Sequence, residues 1–179
     1  MLDVSVDIET TGTDPAHAGI IQIGAVQFDY ETGQIGSTFN RCMSLPADRF
    51  WSEGTREFWS QYPEVLESIF VRAEEPSVVI QAFVDWCRSL TTVGDLRLHA
   101  KPISFEGPFL QSYFDRYGHQ NPFIYNKAVD LNSFIRGLQR SPSGPSFDKK
   151  VDFDGSKHDA FDDAMFQVKV LLTAKATYA

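Results

Sequence analysis

Three strand-like runs between Leu2 and Ser44 constrain this chain more than any other feature. Leu2–Val6 alternates loosely and is rich in β-branched residues, Ile20–Asp29 reads IIQIGAVQFD, and Gln34–Ser44 follows a Glu31-Thr32-Gly33 hairpin turn. That succession predicts an antiparallel meander. Its first strand runs into Asp7-Ile8-Glu9, followed by Thr10-Thr11-Gly12. Side chains two apart on a strand share a face, which brings Asp7 and Glu9 together. Neighbouring carboxylates repel unless a cation lies between them, and hard oxygen ligands suit magnesium or manganese. A solvated acidic strand end is the plainer alternative.

Beyond the meander the period changes. From Thr55, Phe58, Trp59, Tyr62, Val65, Leu66, Ile69 and Phe70 recur at helical spacing, and Pro63 divides them into two short helices. Trp59 fits the apolar face of such a helix; an aromatic beside a phosphate site also offers a base a stacking surface. A third helix is expected to open at Glu74-Glu75-Pro76-Ser77, with acids suited to the helix dipole. Leu96–Ala100 predicts a fourth strand and Ile103–Tyr117 a helix with Glu106 in its first turn. Phe123–Val129 predicts a fifth strand, and Asp130 caps a helix over Leu131–Leu138. Arg140–Ser156 is irregular, and a last helix runs from about Asp159 to Ala176. The expectation is one α/β domain over residues 1–179, with a mixed five-stranded sheet (the meander plus two strands) flanked by helices.

Composition narrows the function. A net charge of −8 argues against a protein that coats DNA or a membrane surface, which would be basic. It leaves room for a nucleic-acid enzyme whose carboxylates are neutralised by metal ions. Two cysteines, Cys42 and Cys87, imply no disulfide framework and suit a reducing compartment. Asp3 and Asp7 occupy the place of a leader's basic and apolar residues, and no run approaches the length of a membrane span. A cytoplasmic location is expected.

The second chemical cluster is His158-Asp159-Ala160-Phe161-Asp162-Asp163. Five residues on an ideal helix turn through about 500°, leaving side chains roughly 140° apart. His158 can therefore join Asp163 only from a loop before the helix, whereas Asp162, four residues on, would share its helical face. Spacing leaves both pairings open.

Asp7-Ile8-Glu9-Thr10-Thr11-Gly12, then Ser104-Phe105-Glu106 with Pro108-Phe109-Leu110, then His158-x-Ala160-x-x-Asp163 together resemble the DEDD 3′–5′ exonuclease superfamily, in its histidine (DEDDh) form. Thr55–Glu64 (TREFWSQYPE) is similar to a segment of bacteriophage exodeoxyribonucleases and of a mycobacterial polyadenylate-specific exoribonuclease, although those relatives tend to have two adjacent tryptophans where this chain has Phe58-Trp59. The resemblance implies a ribonuclease H-like fold and 3′–5′ removal of nucleotides from single-stranded DNA or RNA with two divalent cations. It assigns Asp7, Glu9 and Asp163 to one ion, Asp7 with Glu106 to the other, and His158 to the general base. Thr10, Thr11 and Phe105 would lie around the terminal nucleotide, with Trp59 the candidate stacking surface, and a homodimer is possible by family analogy. Glu106 departs from the family's usual aspartate by one methylene. Two alternatives follow: an impaired nucleic-acid-binding domain of the same fold, and a phosphodiesterase of small nucleotides.

Overall fold

The computed structural model describes residues 1–178. Strands β1 (Leu2–Thr10), β2 (Ile20–Phe28) and β3 (Ile35–Met43) pair antiparallel as the expected meander. Then come α1 (Glu53–Trp59) and α2 (Pro63–Val71), β4 (Ala73–Glu74), α3 (Pro76–Thr91), β5 (Leu96–Ala100), α4 (Ile103–Arg116), β6 (Val129–Asp130), α5 (Leu131–Leu138) and α6 (Ala160–Tyr178). The sheet order is β4-β3-β2-β1-β5-β6, with the β1–β5, β3–β4 and β5–β6 pairs parallel.

The sheet has six strands where five were expected. The extra strand, β4, falls where the sequence predicts the start of a helix. Pro76 prevents that: the residue before a proline avoids helical backbone, and Glu75 is extended (φ −62°, ψ 129°). Glu74 is thus free to pair with β3, where its carboxylate takes the Nε–H of Arg41 at 2.7 Å. The expected Phe123–Val129 strand shrinks to β6. Phe123 keeps an isolated bridge to Leu96, and Tyr125–Lys127 winds into a 3-10 turn.

Alternation along β1 sorts the layers. Val4, Val6 and Ile8 enter the core with Val79 and Phe83 of α3 and Phe109 and Tyr113 of α4. Fully burying a side chain of this size contributes about 1.5–3 kcal/mol. Val26 and Phe28 of β2 pack on the other face against Val168 and Leu171 of α6, while Trp59 and Ile69 of the α1–α2 hairpin cover Ile21 and Cys42.

Gly24 sets how closely α6 can approach. A Cβ there would lie 2.2 Å from the carbonyl carbon of Ala160 and 2.3 Å from the nitrogen of Phe161, so the helix begins directly on β2. Gly24 is also the cross-strand partner of Asp7. One missing side chain thereby brings the His158–Asp163 segment over the acidic end of β1. Among the described residues no helix is long and apolar enough to cross a membrane.

Candidate active site

Asp3, Ser5, Asp7 and Glu9 share the face of β1 opposite Val4, Val6 and Ile8, and the two ends of this row differ. Asp3 accepts from Arg97 Nε and lies against His99 Nε2, both at 2.6 Å. Burial alone would raise its carboxyl, but the His99 and Arg97 hydrogen bonds outweigh that and hold it below the usual range. At the other end, Asp7 Oδ1 accepts from the amide of Gln167 at 2.7 Å. Every charged neighbour that shifts Glu9 is another carboxylate: Asp163, Asp159 and Glu106.

The electrostatics follow from that imbalance. Burial, then Glu9, Glu106 and Asp163, push the Asp7 carboxyl well up, with Lys101 opposing. Burial and its acidic neighbours raise Glu9 in the same way. Glu106, 3% exposed in the first turn of α4, is raised to about 8 by burial, and its buried Oε2 has no hydrogen-bond partner. Asp163 is raised to about 6, again chiefly by burial. The extra methylene of Glu106 does not remove it from the group, since it acts on both Asp7 and Glu9.

His158 lies just before α6, as a shared site with Asp163 requires. Its backbone N–H donates to Asp163 Oδ2 at 2.9 Å, while Asp162 Oδ2 is taken by the N–H of Ser156 at 2.7 Å. The structure therefore brings Asp163, not Asp162, to Glu9. Glu9, His158 and Asp163 each offer a ligand atom, all within 4.8 Å of one another. Converging oxygen donors beside an orphaned carboxyl oxygen fit a hard divalent ion. Glu9, His158 and Asp163 are the residues whose geometry could hold it, with Asp7 and Glu106 in the same acidic cluster.

A cleft of about 460 Å³ opens beside this cluster, lined by Glu9, Thr10, Gly12, Ser52, Phe58 and Phe105 among others. The Thr10 hydroxyl donates to Gly12 O at 2.7 Å, and Thr10 and Phe105 both line this cleft. Thr11 does not: it is fully buried, its hydroxyl donates to Phe50 O and accepts from the Gly19 N–H, and its own N–H donates to Gly19 O. Trp59 is 1% exposed and donates from Nε1 to Thr10 O at 3.2 Å. It supports the end of β1 from beneath and has no free face on which a base could stack. A larger apolar cleft of about 680 Å³ between α1 and α2, walled by Trp51, Leu66 and Phe70, holds no carboxylate cluster.

Several participants escaped sequence reasoning. Gln167 bridges Asp7 and Ser5, and its place one helical turn after Asp163 was the available signal. Asp159 accepts from Gln22 Nε2 at 3.0 Å and Arg72 Nη2 at 3.2 Å, while Gln22 Oε1 accepts the Ala160 N–H at 3.1 Å. These contacts span 87 to 138 residues of sequence, and no local pattern marks them.

Fold and site together are those of a ribonuclease H-like α/β domain with a cluster of carboxylates at the end of its first strand. More narrowly, the chain belongs to the family described as the 3′-5′ exoribonuclease Rv2179c-like domain, which matches residues 2–174. The nuclease domain of 3′hExo, a DEDDh family member bound to rAMP, superposes with a TM-score of 0.74 at 16% identity, over 98% of this chain and 92% of that one. S. pombe Pop2p in its Mg2+ and Mn2+ bound form gives 0.72 at 13% identity, over 98% and 83%. The zinc-bound E. coli ExoI–ssDNA complex gives 0.68 at 21% identity, covering 99% of this chain but 40% of that longer protein. No curated protein matches the chain in sequence.

Proposed function

We propose that this protein is a metal-dependent exonuclease that removes nucleotides one at a time from the 3′ end of single-stranded RNA, with DNA the less favoured sugar. The observation that carries the reading is the convergence of Asp7, Glu9, Glu106 and Asp163 with His158 at one end of β1. Membership of an exoribonuclease family supports the choice of RNA.

Asp7, Glu9 and Asp163 would hold one divalent ion, Mg2+ or Mn2+, and Asp7 with Glu106 would hold a second. Such ions, when bound, stabilise negative charge on the attacking and leaving oxygens of an in-line displacement at phosphorus. Gln167 fixes the rotamer of Asp7 through its 2.7 Å hydrogen bond. His158 takes the proton of the attacking water. Burial and then Lys157 hold its imidazole below the ordinary value, so at neutral pH it is neutral and able to accept. Phe105 forms an apolar wall for the terminal base, and the cleft beside Thr10 and Gly12 receives its sugar.

Polarity and sugar are tested with matched RNA and DNA oligonucleotides labelled at either end. The reading predicts a ladder from the 5′ label and immediate release of a labelled mononucleotide from the 3′ label, faster for RNA. Release of the 5′-terminal nucleotide first, or internal cuts, would contradict it. Hydrolysis of a model phosphodiester with oligonucleotides left intact would favour a small-nucleotide phosphodiesterase.

A further inference from the structure

A catalytic histidine needs its ring held, usually by a carboxylate or carbonyl on the nitrogen not in use. His158 has no such partner: among the described residues its hydrogen bond is the backbone one, from its N–H to Asp163. Its backbone is left-handed (φ 64°), unusual for a residue other than glycine. What meets the ring is aromatic. Phe58 approaches edge-on, with centroids 4.8 Å apart and planes at 85°, and Tyr62 lies at 4.2 Å and 59°. Phe58 and Tyr62 brace each other at 5.2 Å.

Both aromatics belong to the α1–α2 hairpin, which reaches the site twice more. Trp59, next to Phe58, donates to Thr10 O and so ties the hairpin to the acidic end of β1. Arg72, at the end of α2, donates to Asp159, the neighbour of His158. The hairpin thereby sets the separation between carboxylates and imidazole.

We propose that Phe58 and Tyr62 are positioning residues for His158, gripping its ring in the orientation that faces Glu9 and Asp163, with Arg72 anchoring the same loop through Asp159. Tyr62 lies outside the lining of the cleft and Phe58 forms part of its wall, so Tyr62 can act only through the imidazole. The quadrupoles and packing of the two rings restrict the imidazole as a hydrogen-bonded carboxylate does elsewhere. This inference rests on the reading of His158 as general base.

The test combines kinetics with a readout independent of turnover. Tyr62→Leu should lower kcat on an RNA oligonucleotide by about two- to tenfold, the worth of one aromatic pair, with KM unchanged. Tyr62→Phe, which keeps the ring, should restore the parent rate. In a His158→Ala background, Tyr62→Leu should change nothing further. Histidine-labelled protein carries four imidazoles, and the signal lost in His158→Ala identifies the one concerned. In metal-free samples its ring-current shift should collapse in Tyr62→Leu and persist in Tyr62→Phe. If Tyr62→Leu leaves kcat and that shift at parent values, or slows the His158→Ala enzyme equally, the grip is overturned while the base stands. If His158→Ala is as fast as the parent, the general-base reading falls, and the grip's catalytic purpose with it.

Discussion

Glu106→Gln in metal-free protein isolates the cost of assembling the acidic cluster. The substitution replaces a protonated carboxyl with a neutral group of the same shape. Burial, and then Asp130, push the Glu106 carboxyl up to about 8 in the native state, from the ordinary 4.5 of the unfolded chain. Between those values the native chain holds a proton that the unfolded chain has released, so native stability falls as pH rises through this window. The slope is about 1.36 kcal/mol per pH unit. Between 4.5 and 7 that amounts to about 3 kcal/mol. Glutamine has no proton to retain, so the variant should be more stable by about that amount at pH 7, or roughly 6–12 °C in Tm for a chain of this length. The gain should vanish near pH 4.5 and level off above pH 8. Thermal unfolding of both proteins in EDTA from pH 5 to 8 measures it. Saturating magnesium should narrow the gap, because a bound cation favours the ionised glutamate. A Tm difference that stays constant across that range would refute the reasoning.

Other consequences concern geometry and turnover. His158→Ala should slow hydrolysis by about 10²-fold or more, read by single-turnover kinetics on protein shown to be folded. Gly24→Ala should cost about 1–3 kcal/mol or more, since its Cβ meets the Ala160 backbone at 2.2 Å, and should also lower activity by pushing α6 off β2. Urea unfolding alongside a turnover assay would show both effects. Gln167→Leu should weaken magnesium binding, read by calorimetry, because it frees the Asp7 side chain while keeping most of the packing under α6.

What could be read in the sequence follows the range of the interactions. The meander was legible because strand alternation is a local period, and Asp7 and Glu9 came with it as neighbours on one face. The two-residue strands β4 and β6 are too short to carry a period and form only because longer neighbours offer them edges. Asp130 was legible as a helix cap and accepts the Ser133 N–H at 2.8 Å. The choice between Asp162 and Asp163 was not, because it depends on whether the helix begins before or after His158. That is fixed from outside by Gly24 and Gln22 on β2. The effect of glutamate at position 106 is open in the sequence; in the fold its buried carboxyl lies near enough to raise both Asp7 and Glu9. The residues that steady the site, Arg72, Asp159 and Gln167, meet only through the fold.

The most direct test of the central claim is a metal titration of cleavage on a 5′-labelled single-stranded RNA, with Asp7→Ala beside the parent. A ladder that shortens from the 3′ end, appears only with magnesium or manganese, disappears in EDTA and is absent from a normally folded Asp7→Ala protein is the predicted result. Cleavage that persists in EDTA or survives Asp7→Ala would contradict it. Tight RNA binding with no cleavage at any metal concentration would make the cluster a binding site, not a catalytic one.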